Sequence, residues 1–139
     1  MNHRVFGNRL SRPFNARKAL IRGLILELLT NKKIATSKAR AKAILGEVDK
    51  IAILIKKEDI SSRRRLEALV PGLTDGLIKS LKIGLSSRNS GFVKTCLLGT
   101  RLSDNQERVE MTLLYQMPEE KIEEVKLKNS KKKKNDNGS

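Results

Sequence analysis

The sequence predicts an α+β fold: about four helices packed on a small sheet of two to three strands, with a C-terminal β-hairpin and a basic N-terminal arm. Three observations lead there. Apolar residues recur at three- and four-residue spacing from residue 15 to about residue 85. After Ser86 the period changes to two. Before Asn15 there is no apolar period at all, and arginine is frequent.

The arm covers residues 1–14. His3, Arg4, Gly7, Asn8, Arg9, Ser11, Arg12 and Pro13 give no repeat, and no acidic residue precedes Glu27. Six basic residues do: Arg4, Arg9, Arg12, Arg17, Lys18 and Arg22. Such a segment is either a disordered terminus or one that orders on a phosphate backbone, and its acid-free, arginine-rich composition favours the second.

A first helix is expected from Asn15, as N-cap, to Leu29. Leu20, Leu24 and Leu28 line one side with Ile21 and Ile25 beside them, so apolar residues nearly encircle it and it belongs at the centre of the core. Lys32–Thr36 reads as a short extended piece and as the candidate third strand, because a lone hairpin is marginal. Thr36 or Ser37 then caps a long second helix ending near Lys57, with the stripe Ile44, Val48, Ile51, Ala52 and Ile55. Its first turns carry Lys38, Arg40 and Lys42, where the macrodipole disfavours cations. They are either an ordinary solvated face or partners of a phosphate at the free helix amides.

The third helix is expected over Ser61–Val70, ended by Pro71 and Gly72. Its Arg63, Arg64 and Arg65 spread over about 200° of arc, so at most two face one partner. Thr74 caps the fourth helix, with Leu77, Ile78, Leu81 and Leu85 as its stripe; Gly76 and Gly84 weaken it. Phe92–Leu102 and Val109–Met117 read as strands, the second alternating Val109, Met111, Leu113, Tyr115 and Met117 with Glu110, Thr112, Leu114 and Gln116. Ser103 to Gln106 connect them. Pro118 closes a domain of residues 15–118, and residues 119–139 form a charged, low-complexity tail expected to be disordered.

The 139 residues suffice for one domain. With 38% hydrophobic residues, 3% aromatics and no Trp, the core must be aliphatic. Thirty Lys plus Arg against 15 Asp plus Glu give a net charge of +15. Residues 1–118 hold 23 of the bases and 10 of the acids, so the excess belongs to the arm and body, not the lysine tail. A chain this basic repels itself when alone, and a polyanion is its natural partner. No 18-residue apolar run can span a bilayer. The first apolar stretch runs into Thr30, Asn31, Lys32 and Lys33 rather than a signal-cleavage site. The single Cys96 suits a reducing compartment. These features read as cytoplasmic, with no membrane partner.

Catalytic groups do not converge in the sequence. His3 is the single histidine, and with one cysteine it cannot build a zinc site. No glycine-rich phosphate loop is present, and Glu119, Glu120, Glu123 and Glu124 sit together in the tail. Cys96, in a strand with Phe92, Lys94 and Leu98, is expected to be a buried small hydrophobe. No enzyme activity, cofactor, metal or small-molecule substrate is expected. An RNA-processing enzyme lacks its catalytic set. A DNA-binding regulator built on the two helices around Pro71-Gly72 would have only Lys79, Lys82 and Arg88 to offer a groove.

RNA binding by charge needs many cations on one surface and no base code, and arginine's planar fork suits phosphate better than lysine. The aromatics Phe6, Phe14, Phe92 and Tyr115 are too few for a base-stacking sheet. Phe6 and Phe14 flank the arm's arginines as possible stacking groups, with packing near the first helix the favoured place for Phe14. Recognition of backbone shape is the expected mode.

The order arm, helix, short strand, three helices and hairpin resembles the L-seventeen family of bacterial large-subunit ribosomal proteins. Met1, His3, Arg4, Gly7, Leu10 and Arg12 are similar to that family's start. Ile34, Thr36, Arg40, Ala41 and Lys42, followed by Asp49 and Ile51, resemble its most diagnostic segment. Arg64, Arg65 and Leu66 fall at its basic helix, Ser87, Arg88, Gly91, Phe92 and Lys94 at the lead into its hairpin, and Asp104 and Asn105 at the hairpin tip. Where the family carries Tyr and Arg before the hairpin, this chain has Phe92, without the hydroxyl, and Lys94, which cannot repeat a bidentate contact.

The resemblance implies a structural constituent of the large ribosomal subunit that binds 23S rRNA and neighbouring ribosomal proteins, toward the solvent side near the exit of the peptide tunnel. By matching position it places Arg4, Arg9, Arg12 and Arg17 in the arm's contact, and Lys38, Arg40 and Lys42 in a helix-terminus contact. Lys18, Arg22, Arg63, Arg64, Arg88, Lys94 and Arg101 complete the candidate RNA-binding set.

Overall fold

Pro13 starts the first helix. Its ring presets φ at −60°, and its carbonyl accepts the Arg17 N–H at 2.9 Å, so α1 (Phe14–Asn31) begins one residue before Asn15, the expected cap. The computed structural model describes residues 7–57 and 59–116; Arg4, His3 and the tail from 119 lie outside them. α1 ends on Lys32, which is left-handed (φ 64°) and donates its N–H to the Leu28 carbonyl. That reversal of hand turns the chain directly into β1 (Lys33–Ser37).

Only Ile25, Leu28 and Leu29 of α1 are buried. Leu20, Ile21 and Leu24 are half-buried, and Phe14 is 66% exposed. The N-terminal half of α1 therefore overhangs the core, and Phe14, expected to pack near the first helix, stands out in solvent on it. The central helix is instead α2 (Lys38–Lys56), with Ala41, Ile44, Val48, Ile51, Ala52 and Ile55 all buried. It touches α1, all three strands and the two helices that follow, α3 (Ile60–Leu69) and α4 (Asp75–Leu85). Its stripe runs over about four turns, whereas the apolar residues of α1 are spread around the helix and cannot all find a neighbour. At about 1.5–3 kcal/mol for each fully buried aliphatic side chain, the α2 stripe is the largest single contribution to the core.

β2 (Val93–Thr100) and β3 (Glu107–Leu113) form the hairpin, and β1 adds to β3 on the other side, giving an antiparallel sheet of order β1-β3-β2. Ile34, Thr36, Val109, Met111 and Leu113 face the helices and are buried. The cross-strand partners Val93–Leu113, Thr95–Met111 and Leu97–Val109 put the odd-numbered residues of β2 on that same face. Cys96, paired with Glu110, and Lys94, paired with Thr112, therefore lie on the open face. This corrects the expectation that Cys96 is buried: it is exposed. Its strand neighbour Leu98 falls at an irregularity in the ladder between Leu97 and Gly99, where Gly99 adopts φ 107°. The hairpin tip runs past the helices, leaving Leu97, Leu98 and Leu102 at 65%, 52% and 99% exposure.

Two contacts tie the hairpin base to the helices. Phe92 is fully buried, and its N–H donates to Asp49 Oδ1 of α2 at 3.3 Å. On α4, Gly84 is buried against the Tyr115 ring: a Cβ there would stand 2.8 Å from Tyr115 Cζ and closer still to Cδ2 and Cε2. Lys32 Nζ lies 4.8 Å from the centre of the same ring, and Gln116 N–H donates to the Gly84 carbonyl at 3.0 Å.

Candidate nucleic-acid interface

The fold pairs its cations unevenly. On the sheet and the helix ends beside it, several cations meet acids: Lys33 with Glu110 at 2.9 Å, Lys38 with Glu107 at 2.6 Å, and Arg101 with Asp104 at 2.6 Å. Arg63 of α3 is held by Asp75 at the start of α4 and lies 3.9 Å from Glu67. On the arm and the first turns of α1 the pattern differs. Arg9, Arg12, Arg17, Lys18 and Arg22 have no carboxylate partner among the described residues. Arg22 donates to the Ala68 carbonyl at 2.9 Å, and Arg17 reaches the Arg12 carbonyl at 3.5 Å. These bonds position guanidinium groups without neutralising them.

The backbone helps to present them. Leu10 and Ser11 both adopt left-handed conformations, with φ of 53° and 50°. Arg12 N–H closes a turn onto the Arg9 carbonyl at 3.2 Å. The chain thereby folds back just before Pro13, bringing Arg9 to the side of α1 that carries Phe14, Arg17 and Lys18. The Arg17 and Lys18 charges lie 5.8 and 5.9 Å from the Phe14 ring centre, a favourable placement over an aromatic face. Between this half of α1, the arm and α2 lies a cleft of about 580 Å³. Ile21, Ile25, Ile51 and Leu69 line it with apolar surface, and Ala43 leaves room on the α2 wall. Glu47 is its one carboxylate, and Lys50 already binds it at 2.9 Å.

The remaining candidates are dispersed. At the start of α2, Lys38 is taken by Glu107, while Arg40 and Lys42 have no partner among the described residues. Pairing with Glu107 also offsets the macrodipole cost that three cations at this helix start would incur. Arg64 is exposed on α3, Arg88 in the loop after α4, and Lys94 on the open face of the sheet. Arg65, Lys79 and Arg108 are exposed cations of the same kind outside the candidate set. Arg108 lies one residue before the strand expected from Val109, on the side opposite the buried residues. At the hairpin tip, the hydrogen bond from Arg101 holds the Asp104 carboxyl below its ordinary pKa, with the Gln106 N–H as a second donor, and raises that of Arg101. Burial lowers the pKa of Lys32, whose Nζ donates to the Leu29 carbonyl at 2.7 Å. Among the described residues, no three His, Cys, Asp or Glu side chains converge as a metal site would require, and no helix is long and apolar enough to cross a membrane.

A family profile described as Ribosomal protein L17 matches residues 20–114. The chain belongs to the ribosomal protein L17 family. That span runs from the overhanging half of α1 through the hairpin. Among L17 relatives, the large ribosomal subunit protein bL17 of Dehalococcoides mccartyi is 35% identical over 116 residues, covering 82% of this chain and 99% of that one. The bL17 protein of Thermodesulfovibrio yellowstonii is 33% identical over 131 residues, 92% of this chain and 98% of its own. That of Syntrophotalea carbinolica is 31% identical over 116 residues, 82% and 75% of the two chains. L17 is a structural ribosomal family and not a catalytic one.

Proposed function

We propose that this L17-family chain is a constituent of the large ribosomal subunit in the cytoplasm. It is seated on 23S rRNA through its N-terminal arm and the adjoining face of α1, and it supports subunit assembly and translation. The observation that carries this is the uneven pairing of charge: acids hold Lys33, Lys38, Arg63 and Arg101 around the sheet and α3, and among the described residues none meets the cations of the arm and the first turns of α1. Unpaired guanidinium groups fixed by backbone carbonyls are suited to phosphates, since they are positioned before the RNA arrives. In this reading Arg9, Arg12, Arg17, Lys18 and Arg22 form the main contact, with Arg4 extending it beyond the described residues. Arg40, Lys42, Arg64, Arg88 and Lys94 form secondary contacts. Lys38, Arg63 and Arg101 contribute less, because each would first have to leave a carboxylate.

The body of residues 15–118 is the docked unit, with the arm of residues 1–14 as its extension. A place near the exit of the peptide tunnel, beside neighbouring ribosomal proteins, follows from the family resemblance. An epitope-tagged chain expressed in cells and followed through density gradients tests the central claim. It should sediment with large subunits and stay there through a moderate salt wash. Recovery only in the free soluble fraction would refute it.

A further inference from the structure

We infer that the cleft between α1, α2 and the arm accepts an unstacked nucleobase of the bound RNA, so that this protein reads a splayed nucleotide as well as a phosphate track. The inference rests on the RNA-binding role proposed above and names a specific subsite within it. Phosphate contact alone explains neither of two features. The first is Phe14, a large aromatic ring at 66% exposure on the first residue of a helix. Beyond its contacts with Arg17 and Lys18 the fold buries little of this ring, yet it lines the cleft. The second is the cleft itself: about 580 Å³, lined both by apolar Ile21, Ile25, Ile51 and Leu69 and by the four cations Arg9, Arg17, Lys18 and Arg22.

A nucleotide matches both parts. Its base has an apolar π-face for the walls and the Phe14 ring, and its phosphates are anions for Arg9, Lys18, Arg17 and Arg22 on the rim. The volume falls within the range of sites that hold small planar ligands. The rim charge argues against a purely apolar peptide. The single carboxylate, Glu47, is already bound by Lys50, so the mouth is strongly positive and suits an anion-linked occupant. Arg17 and Arg22 are held by the Arg12 and Ala68 carbonyls, which keeps them at the rim instead of collapsing into the opening.

Two substitutions in the full-length chain test the proposal, with deproteinised 23S rRNA, a short oligouridylate and its abasic counterpart as probes. Phe14→Leu removes the stacking face at an exposed position where the fold does not depend on it. Ala43→Leu fills the cleft from the α2 wall without changing charge. One stacked base is worth about 5- to 140-fold in affinity. The wild-type chain should therefore prefer the oligouridylate to the abasic strand by at least about fivefold, and both variants should lose that preference. Each should bind rRNA correspondingly more weakly while keeping the wild-type slope of affinity against salt, because no phosphate contact is removed.

Equal affinity of wild type for the two short strands, or wild-type rRNA binding by Phe14→Leu, would overturn the subsite and leave the RNA-binding role standing. Loss of incorporation into particles with rRNA binding intact would also overturn it, by making a neighbouring protein the occupant. A wild-type chain without any salt-sensitive rRNA affinity would instead remove the role on which the inference rests. If Ala43→Leu lowers the melting temperature, Phe14→Leu decides alone.

Discussion

Replacing Gly84 by alanine isolates the contact that joins the end of α4 to the strand exit. Judged by helix propensity the change should help, by up to about 1 kcal/mol. The geometry opposes it. The new methyl would lie 2.8 Å from Tyr115 Cζ and nearer to two other ring carbons, where ordinary contact needs about 3.4–4 Å. The ring cannot tilt freely, since Lys32 covers it at 4.8 Å and Gln116 is bonded to the Gly84 carbonyl. Overpacking of this kind costs about 1–3 kcal/mol, and displacing the ring adds the loss of its cation contact, about 0.5–1 kcal/mol. After the propensity gain of up to about 1 kcal/mol, the net loss is about 0.5–3 kcal/mol. At about 4 °C per kcal/mol for a domain of this size, that is a fall in melting temperature of roughly 2–12 °C. Thermal unfolding followed by circular dichroism reads it directly, provided the transition is two-state. The control is the same change in a Tyr115→Ala background. There the clash is gone, and Gly84→Ala should become neutral or stabilising, a coupling well above the few tenths of a kcal/mol that separate sites show. A Gly84→Ala chain that melts at or above the parent, or the same loss with and without Tyr115, would refute the packing argument.

Three further expectations follow from the geometry. Reversing Arg9 and Arg12 to glutamate should weaken rRNA binding and flatten its salt dependence by about two contacts' worth, roughly 1.4–1.8 in the log–log slope, with the melting temperature of the free chain unchanged; a large fall in that temperature would show the arm to be structural. Asp104 should titrate by NMR below an ordinary aspartate, and Arg101→Ala should return it upward. Because its folded pKa is depressed, the tip interaction is complete above the unfolded pKa and fades as pH falls through the folded one, so the tip should loosen only in acid. Cys96 should react with a thiol reagent in the native state about as completely as in denaturant; protection would contradict its place on the open face of the sheet.

Periodicity made the element order readable because the buried stripes of α2 and β3 are continuous and each has a single orientation. Ile44, Val48, Ile51, Ala52 and Ile55 are all buried, and the short piece around Ile34 joins the sheet as anticipated from the instability of a lone hairpin. Where the pattern had no unique face, it misled. The encircling apolar residues of α1 suggested a central helix, but neighbours cover only the end near Leu28. Cys96 was grouped with Phe92 by even numbering, yet Phe92 precedes the ladder and turns inward on its own, so the parity of β2 belongs to Val93, Thr95 and Leu97. Gly84 looked like a weak spot in a helix and is a seat for Tyr115, a partner thirty residues away that no local rule supplies. For the candidate interface, the sequence showed which residues are cationic but not which are already satisfied. Glu107 finding Lys38 and Asp75 finding Arg63 depend on tertiary register. Phe14's exposure depends on the overhang.

The half-anchored first helix carries a mechanical consequence. Eighteen residues at 1.5 Å each make a rod about 27 Å long, clamped at one end and free at the other, with the proline turn at its tip. The arginines past that tip ride on a stiff spar and not on a slack tether, so their search volume is small before contact and little motion is surrendered on docking. A kink introduced midway, at Leu24 by proline for instance, would leave every charge in place and still blunt capture, because reach and aim would be lost together.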